Sequence, residues 1–148
     1  MRTFTTEIDI AAPPEDVWAA LVDLPRYQEW NPFVVRAQGV VEQGGRLRLY
    51  MTPPGGRGFT LKPRVTVVAP REVLEWLGRT GGVPGLFSGR HRFELQAADE
   101  GTHLVQREWF TGLLVPLLAR SLHAHTFSGL VAMNEALKHR SEQGALAG

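Results

Sequence analysis

The chain has no cysteine among its 148 residues. That excludes a disulfide, a thiolate zinc site, a thiol nucleophile and a cysteine-ligated iron–sulfur cluster. No stretch approaches the ~20 uninterrupted apolar residues that span a bilayer. The opening, MRTFTTEIDI, has none of the basic-then-apolar order of a secretion signal, so a cytoplasmic protein without an integral membrane segment is expected. An excess of charge of one sign is missing too. Sixteen Lys and Arg against fifteen Asp and Glu leave a formal +1, too little for a general attraction to nucleic acid. Arg46, Arg48, Arg57, Lys62 and Arg64 are interleaved with strand-forming residues and read as the wet face of a hairpin.

Signatures of several chemistries are lacking as well. His123 and His125 are two positions apart, about 200° around a helix, and cannot share a metal from one face. His91 and His103 fall on neighbouring predicted strands with nothing to bring them together, and no His-Glu-x-x-His spacing occurs. Ser88 and Ser121 lack a nucleophile-elbow sequence. The glycine-rich segments 55–58 and 78–85 lack the lysine and helix start of a phosphate-binding loop. No metal, nucleotide or other cofactor is expected.

What the sequence does carry is a 43% hydrophobic composition, enough for one globular domain over 1–148 with its own core. Phe4, Thr6, Ile8 and Ile10 alternate with polar neighbours, the pattern of a strand at 3–10 with one wet face. Pro13 and Pro14 suit a helix start, Glu15 and Asp16 make its first turn acidic, and Val17, Trp18, Leu21 and Val22 form its apolar stripe. Pro25 ends that helix, and Pro32 closes a second one around 26–30. Strand patterns follow at 34–42, 46–52, 59–69, 72–79, 89–98 and 102–111, joined by short turns that imply an antiparallel meander. Pro63 interrupts the 59–69 run, where a bulge or a harmless missing N–H is expected. From 116 to 142 the period becomes helical, and Leu118, Leu122, Phe127, Leu130, Met133 and Leu137 share a face that burial would satisfy. Residues 143–148 read as a frayed tail.

This inventory has a geometric consequence. Seven strands at ~4.8 Å spacing are about 29 Å across, whereas a helix with its side chains is ~10–12 Å wide. The sheet must curl around the long helix, and the uncovered remainder becomes either a cavity or extra core. Trp30, Phe33, Trp76, Phe87, Phe93, Phe110 and Phe127 are the bulky candidates to line or fill it. Trp76 and Trp109 could instead cover the outer sheet face, where a homodimer contact is an open alternative.

Polar residues inside the apolar patterns favour a pocket. His123, Thr126 and Asn134 project into the arc of Leu130 and Leu137. His91 shares a strand face with Phe93, and Gln106 and Glu108 share one with Phe110. A greasy chamber with a few polar anchors is how small-molecule sites are built. His91, Glu108 and His123 are the acid–base candidates, since burial raises a carboxyl's pKa and imidazole titrates near neutrality. The competing expectation pairs Glu108 with Arg90, Arg92 or Arg107. Loop 81–88, with two apolar residues among glycines, is either a lid or an ordinary hairpin connection.

Four motifs stand in order: Asp23-x-x-x-Tyr27-x-x-Trp30-Asn31-Pro32-Phe33; His91-x-Phe93-x-Leu95; Gly101-Thr102 opening a strand that reaches Glu108-x-Phe110-x-Gly112; and Met133-Asn134-x-Ala136-Leu137-Lys138. Together they resemble the START-like, Bet v 1-like (SRPBCC) superfamily, in its bacterial polyketide cyclase/dehydrase and lipid-transport branch, over nearly the whole chain. The resemblance implies an α+β helix-grip fold, a seven-stranded curved antiparallel sheet around the C-terminal helix with two short helices after strand one. It further implies a hydrophobic small molecule or lipid as partner. A cyclase or dehydratase in the same cavity is the alternative, and a protein-interaction module using the outer sheet face is the third. The family has no universal catalytic set to transfer.

Overall fold

The computed structural model describes residues 1–79 and 83–147, with side chains as far as Gly144. Its elements are β1 (Arg2–Ile10), α1 (Pro14–Val22), a 3₁₀ turn (Leu24–Arg26), α2 (Tyr27–Trp30), β2 (Val34–Gly39), β3 (Leu47–Met51), β4 (Phe59–Leu61), β5 (Arg64–Ala69), β6 (Val73–Arg79), β7 (Ser88–Ala98), β8 (Gly101–Thr111) and α3 (Val115–Ala147). The helix-grip arrangement expected from the sequence is present, with eight strand segments in place of seven strands.

Pro63 accounts for the extra segment. β4 pairs with β3, Leu49 facing Leu61, and an isolated bridge sets Arg46 opposite Arg64 in the same antiparallel register. Residues 59–69 are thus one strand whose hydrogen bonding lapses where proline offers no N–H. Its first half closes the β2-β3-β4 sheet, and its second half edges the β1-β8-β7-β6-β5 sheet. Across the join Leu47 N–H donates to Pro63 O and Val65 N–H to Gly45 O. One curved surface results, its ladder interrupted at Pro63 and its register shifted between Val34 and Arg36 and between Val65 and Val67.

α1 starts as its sequence dictates, with Pro13 extended, Pro14 in the first turn and Glu15 and Asp16 at the positive end of the helix. It buries Val17 and Leu21, and Tyr27 O–H donates to the Leu21 carbonyl 2.5 Å away. Asn31 then turns the chain into β2, its Oδ1 accepting from the N–H groups of Phe33 and Val34. At the far end of the sheet β8 begins at Gly101, where a Cβ would lie 2.0 Å from the Ile10 carbonyl oxygen; only glycine permits β1 to pass so close.

α3 is clamped by its C-terminal half. Lys138 Nζ donates to Asp9 O, Glu142 accepts from Ala11 N–H, and Arg140 pairs with Glu29 of α2. The helix continues to Ala147, five residues beyond the 142 at which the helical pattern was expected to end. Thirty-three residues make α3 about 50 Å long, whereas nine-residue β1 spans about 30 Å. The N-terminal half therefore overhangs. Leu130, Met133 and Leu137 are buried as expected, but Leu118 and Phe127 are exposed because they lie on the overhang.

Candidate functional site

The register of the five-stranded sheet lines up its inward side chains in rows. One row runs Val65, Trp76, His91, Glu108, Phe4, each residue directly opposite the next on the adjoining strand. A second runs Leu74, Phe93, Gln106, Thr6. All of these residues are buried. Aromatic rings form the walls: Trp76 lies 5.1 Å from the His91 ring and 5.4 Å from Phe93, and His91 stacks on Phe93 at 4.6 Å. Toward the open end, Phe110 stacks on Phe87 and meets Phe4 edge-on.

Within this apolar setting a polar chain runs from sheet to helix. Asn134 of α3 donates from Nδ2 to Thr6 Oγ1 at 2.8 Å and accepts at Oδ1 from Gln106 Nε2 at 2.6 Å. Gln106 Oε1 is left to accept, so the 2.6 Å contact with His91 Nε2 requires that nitrogen to carry the proton. His91 Nδ1 is then a lone pair, and it faces Glu108 Oε2 at 3.5 Å. That distance exceeds a normal hydrogen bond, and among the described residues Glu108 Oε2 has no hydrogen-bond partner.

Burial governs the charge of this pair. Desolvation raises the Glu108 carboxyl to about 8 and lowers the His91 imidazole to about 4, although the bond to Gln106 opposes the latter shift. At neutral pH the two are a carboxylic acid and a neutral imidazole, not an ion pair. The arginines offered as partners for Glu108 lie on the outer face: Arg90 and Arg92 pair with Glu75, and Arg107 with Glu94. Strand alternation separates them from Glu108.

The structure does not gather every candidate residue. Trp76, His91, Phe93, Gln106, Glu108 and Phe110 converge with Leu130 and Asn134, and Thr126 is buried beside them in sequence. His123 and Phe127 are exposed on the overhang, His123 with its ring 6.1 Å from Phe4 and 6.4 Å from Phe127. Trp30 packs on Tyr27, and Phe33 lies under α3 against Gly129. Trp109 occupies the outer sheet face opposite Arg90 and Thr3. Of the loop 81–88, Gly81 and Gly82 lie outside the described residues; Phe87 turns toward Phe110. His103 is also on the outer face, with Nδ1 2.7 Å from Asp9. Among the described residues no three potential metal-ligating side chains cluster, and no helix is long and apolar enough to cross a membrane.

One member of the site and one buried carboxylate outside it escaped the sequence reading. Thr6 ends the polar chain; its signal was a hydroxyl residue on the apolar parity of β1. Glu75 is buried on the outer face, held by Thr66 and Arg90, and nothing in its strand pattern distinguishes it. Two clefts open on the outside, one of about 340 Å³ beside Asp23, Arg140 and Ser141 and one of about 470 Å³ between Trp18, Leu24, Val40 and Val68. Neither includes His91 or Glu108 in its walls. Between the concave sheet face and the C-terminal half of α3 the side chains of Leu130, Met133 and Leu137 are buried, whereas Leu117, Leu118 and Phe127 of the N-terminal half are exposed.

The fold has close counterparts among solved structures. The Zhui aromatase/cyclase from Streptomyces sp. R1128 is 23% identical, with a TM-score of 0.77 over 96% of this chain and 94% of that one. Protein MLL2253 from Mesorhizobium loti is 23% identical, with a TM-score of 0.74 over 96% and 98%. The di-domain ARO/CYC StfQ of the steffimycin biosynthetic pathway is 17% identical, with a TM-score of 0.76 over 97% of this chain and 52% of StfQ; this chain spans about half of that protein. At such identities the likeness is one of fold. No curated protein matches the chain. The model of one family, described as polyketide cyclase / dehydrase and lipid transport, matches residues 1–142, and the chain belongs to that family.

Proposed function

We propose that the protein binds a hydrophobic small molecule bearing a carbonyl or hydroxyl group, held between the concave sheet face and the overhanging half of α3. The buried carboxyl of Glu108 carries this reading. It sits among aromatic rings, burial holds it protonated at neutral pH, and one of its oxygens has no partner. A buried polar atom in that condition costs roughly 1–3 kcal/mol, which a guest oxygen would offset. The family's description and the aromatase/cyclase structures of the same fold support an apolar guest or a cyclase substrate.

Competitive displacement of a hydrophobic dye tests the binding. Leu130→Trp fills the chamber beside Asn134 and is expected to weaken displacement at least tenfold; undiminished displacement in a folded variant defeats the site. A second reading, acid–base chemistry on the guest, is supported by the proton arrangement: Glu108 can deliver a proton while His91 Nδ1 can accept one. Under it, His91→Ala and Glu108→Gln abolish turnover of an enolisable carbonyl compound and leave dye displacement intact. Turnover insensitive to both changes removes these residues from any mechanism.

A further inference from the structure

The chain's charges are segregated in a way that its net charge conceals. The stretches 43–71, 76–93 and 109–134 hold ten of the sixteen Lys and Arg residues and not one Asp or Glu. Parts of all three meet at one end of the molecule. Arg79 stands opposite Ser88, and Ser88 opposite Thr111, at the ends of β6, β7 and β8. Leu113 N–H donates to Gly85 O and Leu114 N–H to Leu86 O, tying the start of α3 to the segment after β6. His125 Nδ1 lies 2.9 Å from Pro54 O, which sets the tip of the β3–β4 hairpin beside the overhang.

This end is also where large apolar side chains face water. Leu113 and Leu117 are each 83% exposed, Val83 50%, and Phe59 and Phe127 a little over 40%. Burial does not account for them, and they are not a flat patch like a protein–protein contact: the two leucines project almost fully. Around them the exposed charges include Arg57, Arg79 and Arg120, with Arg2 opposite Phe110 at the same sheet end. Projecting apolar side chains within a cationic rim match a layer whose surface is anionic and whose interior is hydrocarbon.

We propose that this end docks on an anionic lipid surface, Leu113, Leu117 and Val83 entering the acyl layer while Arg57, Arg79 and Arg120 meet the headgroups. The inference goes beyond guest binding and does not depend on it. It places the overhang, with His123 and Phe127, against the membrane.

Co-sedimentation of the full chain with phosphatidylcholine vesicles, with and without phosphatidylglycerol, is the test. Binding is expected only with the anionic lipid, and it should weaken as salt rises. Each cation near such a surface is worth roughly fivefold in affinity, so Arg57→Glu with Arg120→Glu should reduce binding tenfold or more. Leu113→Glu with Leu117→Glu should do the same, and as exposed positions neither pair should alter the circular dichroism. Equal binding to both vesicle types, or wild-type binding by both double variants, overturns the proposal. So does failure to bind vesicles combined with capture of a poly-glutamate peptide by the same arginines, which would assign the surface to an acidic protein. Dye displacement measured alongside separates the two readings: vesicle binding without displacement defeats the guest site and leaves the docking surface standing.

Discussion

Glu108 and His91 stand directly opposite one another on β8 and β7, Oε2 to Nδ1 at 3.5 Å, and burial drives their proton affinities in opposite directions. Folding raises the carboxyl from its ordinary 4.5 to about 8, so between those values the native chain holds a proton that the unfolded chain has released, and stability falls as pH rises. Folding lowers the imidazole from 6.5 to about 4, so in that window the unfolded chain binds the extra proton and stability rises with pH. The two slopes oppose each other from 4.5 to 6.5, and only the carboxyl acts above. Urea midpoints should be nearly flat from pH 5 to 6 and decline from pH 6.5 to 8. In Glu108→Gln the decline should vanish and a rise below pH 6.5 should be uncovered; a wild-type profile in that variant would remove Glu108 as its source.

Asn134 joins α3 to two strands at once, through Gln106 and Thr6. Asn134→Leu keeps the branched shape but takes one acceptor from the Gln106 amide, which retains Leu130 O at 3.3 Å, and the donor from the Thr6 hydroxyl, at roughly 1–3 kcal/mol each in an unrelaxed site. Chemical denaturation should show a loss within about 2–6 kcal/mol. Because Gln106 then loses one of the bonds that orient its amide, the imidazole ¹⁵N shifts of His91 should also move away from a fixed Nε2–H tautomer. An unchanged imidazole spectrum would mean that the chain of bonds does not set the proton's position.

Two glycines of α3 give opposite outcomes under one substitution. Alanine in place of an interior helical glycine gains up to ~1 kcal/mol. At Gly144, in the last turn, nothing among the described residues lies within 4 Å of the added carbon, and a smaller gain of the same sign should appear. At Gly129 the carbon would sit 2.7–2.8 Å from three ring atoms of buried Phe33, and overpacking of this kind costs about 1–3 kcal/mol. Gly129→Ala should therefore lower the melting temperature and Gly144→Ala raise it. Stabilisation by both would mean that Phe33 yields freely.

The elements of the fold were legible because their periods are clean. The parity of His91, Phe93 and Leu95, and of Leu104, Gln106, Glu108 and Phe110, fixed which side chains share a face before any pairing was known. Register was not legible. Nothing local sets Glu108 opposite His91 and away from the nearby arginines, because that choice depends on how β7 and β8 are aligned by the turn at Asp99 and Glu100. Helix geometry alone likewise placed Leu118 and Phe127 in the apolar arc; whether an arc is covered depends on where the sheet stops. Pro63 was visible as an interruption, but its role in handing the strand from one partner to another is a property of the pairing.

That hand-over gives the curved sheet a seam. β7 and β8 are laced along eleven residue pairs, whereas the β2–β4 leaf meets β5 through Gly44, Gly45, Leu47, Pro63 and Val65, by three backbone bonds worth roughly 0.5–1.5 kcal/mol each. Parting the leaf there would leave intact the rows that carry His91 and Glu108. Amide exchange at Leu47 and Val65 faster than at Phe93 is the expected signature of a sheet that yields first along this line.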